Sequence, residues 1–217
     1  MRYIGTIVRP PRNTLNLTKT SQHPLNPGSL FSEAASISAR FTGAAVRHAV
    51  AGFLGVVILY LSMVTTSAPM SSGNLQSIDR ALAVLESKGF DREVFLLRHA
   101  ATFRSRDNWI NDYVVPSENA YAATNFPVGI ITVYPDFYSK AADDTERAMI
   151  LLHEAQHLQG GSEADAYAYV WQNRERLGWT QLSYGSTETY VTIEQQTREN
   201  APELFTCKAK LWSDCTE

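Results

Sequence analysis

Hydrophobic and polar positions follow several different rhythms along this 217-residue chain. From Ala49 to Val64 no charge interrupts an apolar-dominated run, and none follows until Asp79. No period gives this run a polar face, so a buried core helix fits it poorly. Its sixteen residues, extendable to about twenty, lie between the core of a signal peptide and a short membrane span. Beyond it the helical period takes over. Ser77 to Lys88 carries Ile78, Ala81, Leu82 and Leu85 on one face, with Gly89 after it, and predicts a helix. Asp143 to Gln159 predicts another. Asp143 and Glu146 form its start signal, Ala148, Leu151, Leu152, Ala155 and Leu158 its stripe, and Gly160-Gly161 its stop. Ser162, with Asp165 three residues on, opens a helix from about Glu163 to Arg176 that Gly178 closes. Thr187 to Asn200 reads as a further helix before Pro202, and Ile130 to Tyr134 as a strand. Phe90 to Thr102 fits either helix or strand.

These elements make an α+β class, with helices dominant and a small, edge-type sheet. Residues 71–217 are long enough for one compact domain and too short for two. Residues 1–48 are rich in Ser, Thr, Asn, Pro and Arg without a sustained hydrophobic period, and read as a disordered basic region. Residues 49–68 form the transmembrane anchor or signal peptide, with Thr66-Ser67-Ala68 a candidate cleavage site ahead of Pro69. A start near Val46 would make this an ordinary short signal peptide, with Arg47 in its basic head.

Charge orients the segment. Residues 1–48 hold six Lys/Arg against one Glu, whereas residues 49–217 hold 13 Lys/Arg against 21 Asp/Glu. The basic side belongs in the cytoplasm and the acidic part outside it, membrane-anchored or secreted. The absence of a basic stripe from the acidic part argues against a nucleic-acid partner. The two cysteines, Cys207 and Cys215, suit a disulfide in an oxidising compartment, and no C-x-x-C spacing marks them as metal ligands.

The candidate chemistry lies in His153-Glu154-Ala155-Gln156-His157, an H-E-x-x-H inside the helix. One helical turn separates the two histidines, so both imidazoles can grip one metal ion. Both lie off the main apolar stripe, which makes an ordinary core role a poor explanation for the pair. Glu154 falls beside that face as a candidate general base for a zinc-activated water. A catalytic zinc needs a third protein ligand, and the next helix offers Glu163 or Asp165 in its first turn. We take Glu163 as the ligand and Asp165 as the residue that orients a ligand histidine. The alternative is that both acids only cap the helix.

Leu151 to Leu158, followed by Glu163-Ala164-Asp165-Ala166-Tyr167-Ala168, resembles the gluzincin type of zinc metallopeptidase. The resemblance implies a mainly helical zincin-like domain, a zinc held by His153, His157 and Glu163, and a peptide or protein substrate. Asn119-Ala120-Tyr121 and Phe126 to Tyr134 resemble the strand ahead of the zinc helix in that family, which implies an edge for an extended substrate. Two features depart from the pattern. His157 and Glu163 are only six residues apart, a spacing shared with metzincins, yet all four methionines (Met1, Met63, Met70 and Met149) precede the motif. No methionine turn can therefore follow it, and the clan stays open.

Amide hydrolysis also calls for a donor to the developing oxyanion. Tyr184, in the loop Ser183 to Ser186, is the expected donor. Tyr167, one turn after Glu163, is expected behind the ligands. Two function classes follow: an exported or membrane-anchored zinc metallopeptidase, or a non-catalytic exported zinc-binding interaction module. The presence of Glu154 favours catalysis.

Overall fold

The computed structural model describes residues 27–114 and 120–206, with side chains at 45–113 and 120–206. The cysteines Cys207 and Cys215 lie outside the described residues, as do residues 1–26. The chain divides into two compact units, residues 1–51 and Gly52–Glu217. The described part of the first unit is helical. Helix α1 runs Pro27–Thr66, so residues 27–48, expected without regular structure, are helix instead. Pro27 is preset for a first helical turn, and Ala34, Ala35, Ala39, Ala44 and Ala45 favour the conformation more than the polar composition suggests.

The second unit is mainly helical with one small sheet. After α1 come α2 (Ser72–Ser87), α3 (Asp91–His99), β1 (Thr102–Arg104), α4 (Asn111–Val114), β2 (Ala122–Asn125) and β3 (Ile130–Val133). They are followed by α5 (Asp136–Ser139), α6 (Asp144–His157), α7 (Glu163–Gln172), α8 (Arg174–Leu177), α9 (Gln181–Tyr184), α10 (Glu188–Asn200) and a 3-10 turn, Pro202–Phe205. The ambiguous stretch after Phe90 resolves into both alternatives, helix to His99 and strand from Thr102.

Helix α6 is the axis of this unit. Its N-cap Asp143 accepts hydrogen bonds from the Thr145 and Glu146 amides, as the start signal requires. Ala148, Met149, Ile150, Leu151, Leu152 and Ala155 are all buried, so burial extends well beyond the single stripe read from the sequence. Ile78, Ala81, Leu82 and Leu85 of α2 and Val94 and Leu97 of α3 pack into the same core. On the other side, Trp171 of α7 meets Trp179 and Tyr190 of α10, with ring centroids 6.2 and 5.7 Å away. These large buried rings fix α7 and α10 against each other. Glu146 is fully buried and accepts from the Ala142 amide (2.7 Å), Thr187 Oγ1 (2.5 Å) and Trp179 Nε1 (3.4 Å). It ties the cap of α10 to the start of α6.

The sheet order is β1-β3-β2, with β3 parallel to β1 and antiparallel to β2. The strand read from Ile130 is therefore the central one, all four of its residues are buried, and β1 and β2 are the edge strands among the described residues. The period-2 alternation of the pleat sorts the faces. Thr124, paired with Ile131, faces α6, and Ala123, paired with Thr132, faces away. The far face carries a buried amide network. Asn108 Nδ2 donates to Asn125 Oδ1 (2.8 Å), Asn125 Nδ2 to Asn111 Oδ1 (2.7 Å), and Asn111 Nδ2 to Thr132 Oγ1 (3.2 Å). This network holds the segment 105–113 rigidly on the sheet.

The compact unit also begins ahead of Ser71. Met63 of α1 is 1% exposed, and Pro69 forms an isolated antiparallel bridge with Arg104. The last turns of the apolar helix thus belong to the folded unit.

Candidate metal centre

The turn between α6 and α7 builds the centre. Gly160 takes φ +82°, a left-handed conformation open to glycine, and Gly161 N donates to Gln156 O at 2.9 Å. A Cβ on Gly161 would stand 3.0 Å from that same carbonyl oxygen. Two glycines thus reverse the chain tightly enough to lay the first turn of α7 across the last turn of α6. The Gly161 carbonyl then sits 2.9 Å from His157 Nδ1. This contact places the Nδ1 proton on the carbonyl side and leaves Nε2 free to ligate.

His153 Nε2 and His157 Nε2 lie 3.1 Å apart, and each is 3.4 Å from a Glu163 carboxylate oxygen. Candidate ligand atoms of these three residues all fall within 4.8 Å of one another. Zinc bonds of about 2.0–2.2 Å at tetrahedral angles separate neighbouring ligand atoms by about 3.3–3.5 Å. The donor set and its spacing therefore fit such an ion. The Glu163 side chain is 61% exposed, whereas the two histidines are 13% and 16% exposed, so one flank of the cluster is open. The charges reinforce each other. Hydrogen bonds from His153 and then His157 hold the Glu163 carboxyl well below its usual range. Burial pulls the His157 imidazole down, but Glu163, Glu154 and the Gly161 carbonyl outweigh it and push it up to about 9.

Glu154 is buried beside the cluster, and its Oε2 accepts a 2.6 Å hydrogen bond from Thr124 Oγ1 of β2. Thr124 was not legible as a functional residue, because only the antiparallel register brings it to α6. A cavity of about 640 Å³ opens over the histidines. Edge strand β2, Met149 and Ile150 of α6, Tyr167 of α7, and Thr192, Ile193, Gln196 and Asn200 of α10 line it.

The remaining expected site residues fall in different places. Tyr167 lines the cavity, with its ring centroid 4.5 Å from that of His153. Burial and then the Glu163 charge raise its pKa, so the phenol keeps its proton. Asp165 does not orient a histidine. Its carboxylate accepts from Ser162 N (2.9 Å) and Ser162 Oγ (2.6 Å) in a reciprocal capping box at the start of α7. The backbone carbonyl of Gly161 does the orienting instead. Tyr184 does not reach the cluster either, because its hydroxyl donates to Asp143 Oδ2 at 2.7 Å. Asp143 caps the far end of α6, ten residues or about 15 Å before His153. Loop position alone misplaced that tyrosine.

No protein-family model matches the chain, and no curated protein or solved structure matches it.

Proposed function

We propose that this chain is a zinc-dependent peptidase whose domain is held outside the cytoplasm by the apolar end of α1. One observation carries the reading: a buried carboxylate, Glu154, is held by Thr124 immediately beside a two-histidine, one-glutamate cluster at the floor of an open cavity. His153 and His157 through Nε2, and Glu163 through its carboxylate, would hold the ion. Zinc, when bound, supplies a Lewis acid that acidifies water and polarises a carbonyl.

The chain's own groups do the rest. Oε2 of Glu154 is engaged by Thr124, which leaves Oε1 to take a proton from a water in the cavity. Carried on Oε1, that proton is then given to the departing amine nitrogen as the amide C–N bond breaks. Tyr167, a protonated phenol on the cavity wall, replaces Tyr184 as the donor to a developing oxyanion. The outer edge of β2, unpaired among the described residues, offers backbone groups to an extended peptide.

The anchor reading is supported by the stretch Ala45–Thr66, 22 residues with a mean hydropathy of 2.0. Phe53, Leu54, Val56, Ile58 and Leu61 are all more than half exposed on it, a surface that suits lipid. Cys207 and Cys215 would then meet an oxidising environment and pair.

Glu154→Gln is the decisive variant. It should retain one zinc per chain and an unchanged far-UV spectrum while losing hydrolysis of a peptide library by several orders of magnitude. Zinc-loaded wild type that cleaves nothing in the library would favour the interaction-module alternative. Equal cleavage by both proteins would remove Glu154 from the chemistry.

A further inference from the structure

We infer that the domain does not hang free of its anchor but is seated in the outer lipid interface through the segment 105–113, with Trp109 and Tyr113 as its lipid contacts. The inference rests on the anchor reading of α1 and is independent of any peptidase activity.

Helix length and bilayer thickness set the constraint. The apolar stretch Ala45–Thr66 has 22 residues, about 33 Å at 1.5 Å per residue. A hydrocarbon core is about 30 Å thick. Only about two residues of the stretch can therefore stand clear of the core, and fewer if the helix tilts.

Yet the folded unit takes hold of this helix well before its end. Tyr60 Oη and Thr102 Oγ1 are 3.0 Å apart. Trp109 Nε1 donates to Ser62 Oγ at 3.2 Å. Met63 is buried, and a guanidinium nitrogen of Arg104 donates to the Val64 carbonyl at 3.3 Å. Tyr60 lies six residues or about 9 Å below Thr66 along the helix. Groups bonded at this level cannot lie in bulk water while the apolar stretch fills the bilayer. They must enter the interface, at the depth of about 5–10 Å usual for monotopic contacts.

The side chains presented there suit that depth. Trp109 is 45% exposed and Tyr113 is 88% exposed, in a segment that also exposes Arg106. Tryptophan and tyrosine favour the headgroup level, where an apolar ring and a polar edge are both accommodated, and arginine pairs with lipid phosphate. The buried Asn108 and Asn111 make the segment a stiff platform rather than a loose loop. The same contacts argue that the helix is retained. Cleavage after Ala68 would withdraw Met63 from the core and remove the helix that Trp109, Arg104 and Thr102 grip.

Tryptophan fluorescence of the full chain, reconstituted in phospholipid vesicles, tests the inference. Of the four tryptophans, Trp171 and Trp179 are buried in the core and shielded from lipid, and Trp212 is replaced by Phe in every sample below, the one called wild type included. Lipids brominated near the acyl carbonyl should quench the wild type, and Trp109→Phe should cut the quenched fraction at least twofold. Tyr113→Trp, at a position too exposed to disturb packing, should increase quenching over wild type. Alkaline carbonate extraction of the same vesicles reports the anchor separately. If the chain resists extraction but Trp109→Phe leaves quenching unchanged, or Tyr113→Trp adds none, the anchor stands and the seat is refuted. Release by carbonate overturns the anchor reading and this inference with it, leaving the zinc site untouched.

Discussion

Replacing Thr124 by valine removes one oxygen and changes almost nothing in shape, which makes it a sharp probe of how Glu154 is poised. The bond lost is short, 2.6 Å, and its acceptor belongs to a residue only 4% exposed. Hydrogen bonds to charged groups contribute about 1.5–3 kcal/mol. If that energy holds Oε1 at its working position, its loss raises the barrier by a similar amount, about 10- to 150-fold in kcat. Water will fill part of the gap, so the lower end is the firmer expectation. Thr124→Ser restores the hydroxyl and should recover most of the rate. The assay is steady-state cleavage of a peptide that the full chain hydrolyses, with zinc content measured on the same samples. Zinc should stay at one per chain in both variants, since Thr124 touches no proposed ligand. A valine variant with wild-type kcat would refute the positioning role. Equal loss in the serine variant would show that the effect comes from disturbed packing rather than from the hydroxyl.

Further outcomes follow from the same geometry. His153→Ala or His157→Ala should abolish stoichiometric zinc binding in elemental analysis, and retention of one zinc by either variant would displace the centre from this cluster. Asp165→Ala should lower the melting temperature slightly through loss of the reciprocal cap and leave zinc content unchanged, whereas zinc loss would return Asp165 to the surroundings of the proposed metal. Glu146→Ala strands three donors around a fully buried position. At about 1 kcal/mol or more for each, it should lower stability by at least about 3 kcal/mol, seen as a fall in Tm of roughly 6–12 °C, with Glu146→Gln milder. A Glu146→Ala protein melting within a degree of wild type would show that those donors find water.

Local patterns carried a large share of this molecule. His153 and His157 share a helix face because helical periodicity requires it, and Ser162 with Asp165 caps α7 because that spacing closes a reciprocal pair of bonds. The double glycine then makes the short gap from His157 to Glu163 sufficient. Each of these features joins positions no more than six apart. Thr124 and Glu154 are 30 positions apart and meet only through strand register. Tyr184 was misplaced for the same reason, since nothing near it in the chain indicates that its partner is the cap of α6. The amide network of Asn108, Asn111 and Asn125 carries no periodicity, and in composition it resembles any polar loop.

The boundary at the apolar segment is the more instructive difference. Hydropathy treats Ala49 to Val64 as uniform, because an average over a window cannot distinguish a side chain facing lipid from one facing protein. Met63 and Ile58 are both apolar, yet one is 1% exposed and the other 67% exposed. The turn that divides them is marked instead by hydrogen-bonding side chains set among apolar residues, Tyr60 and Ser62, each with a partner more than forty positions away. A polar residue near the end of a hydrophobic helix costs little if it reaches the interface, and it can stabilise the fold if a domain supplies its partner there. Tyr60 and Ser62 therefore mark where the apolar helix becomes part of the folded unit. On the proposed anchor, that junction would set the height of the domain, and with it the height of the His153–His157–Glu163 cluster, above the surface the helix enters.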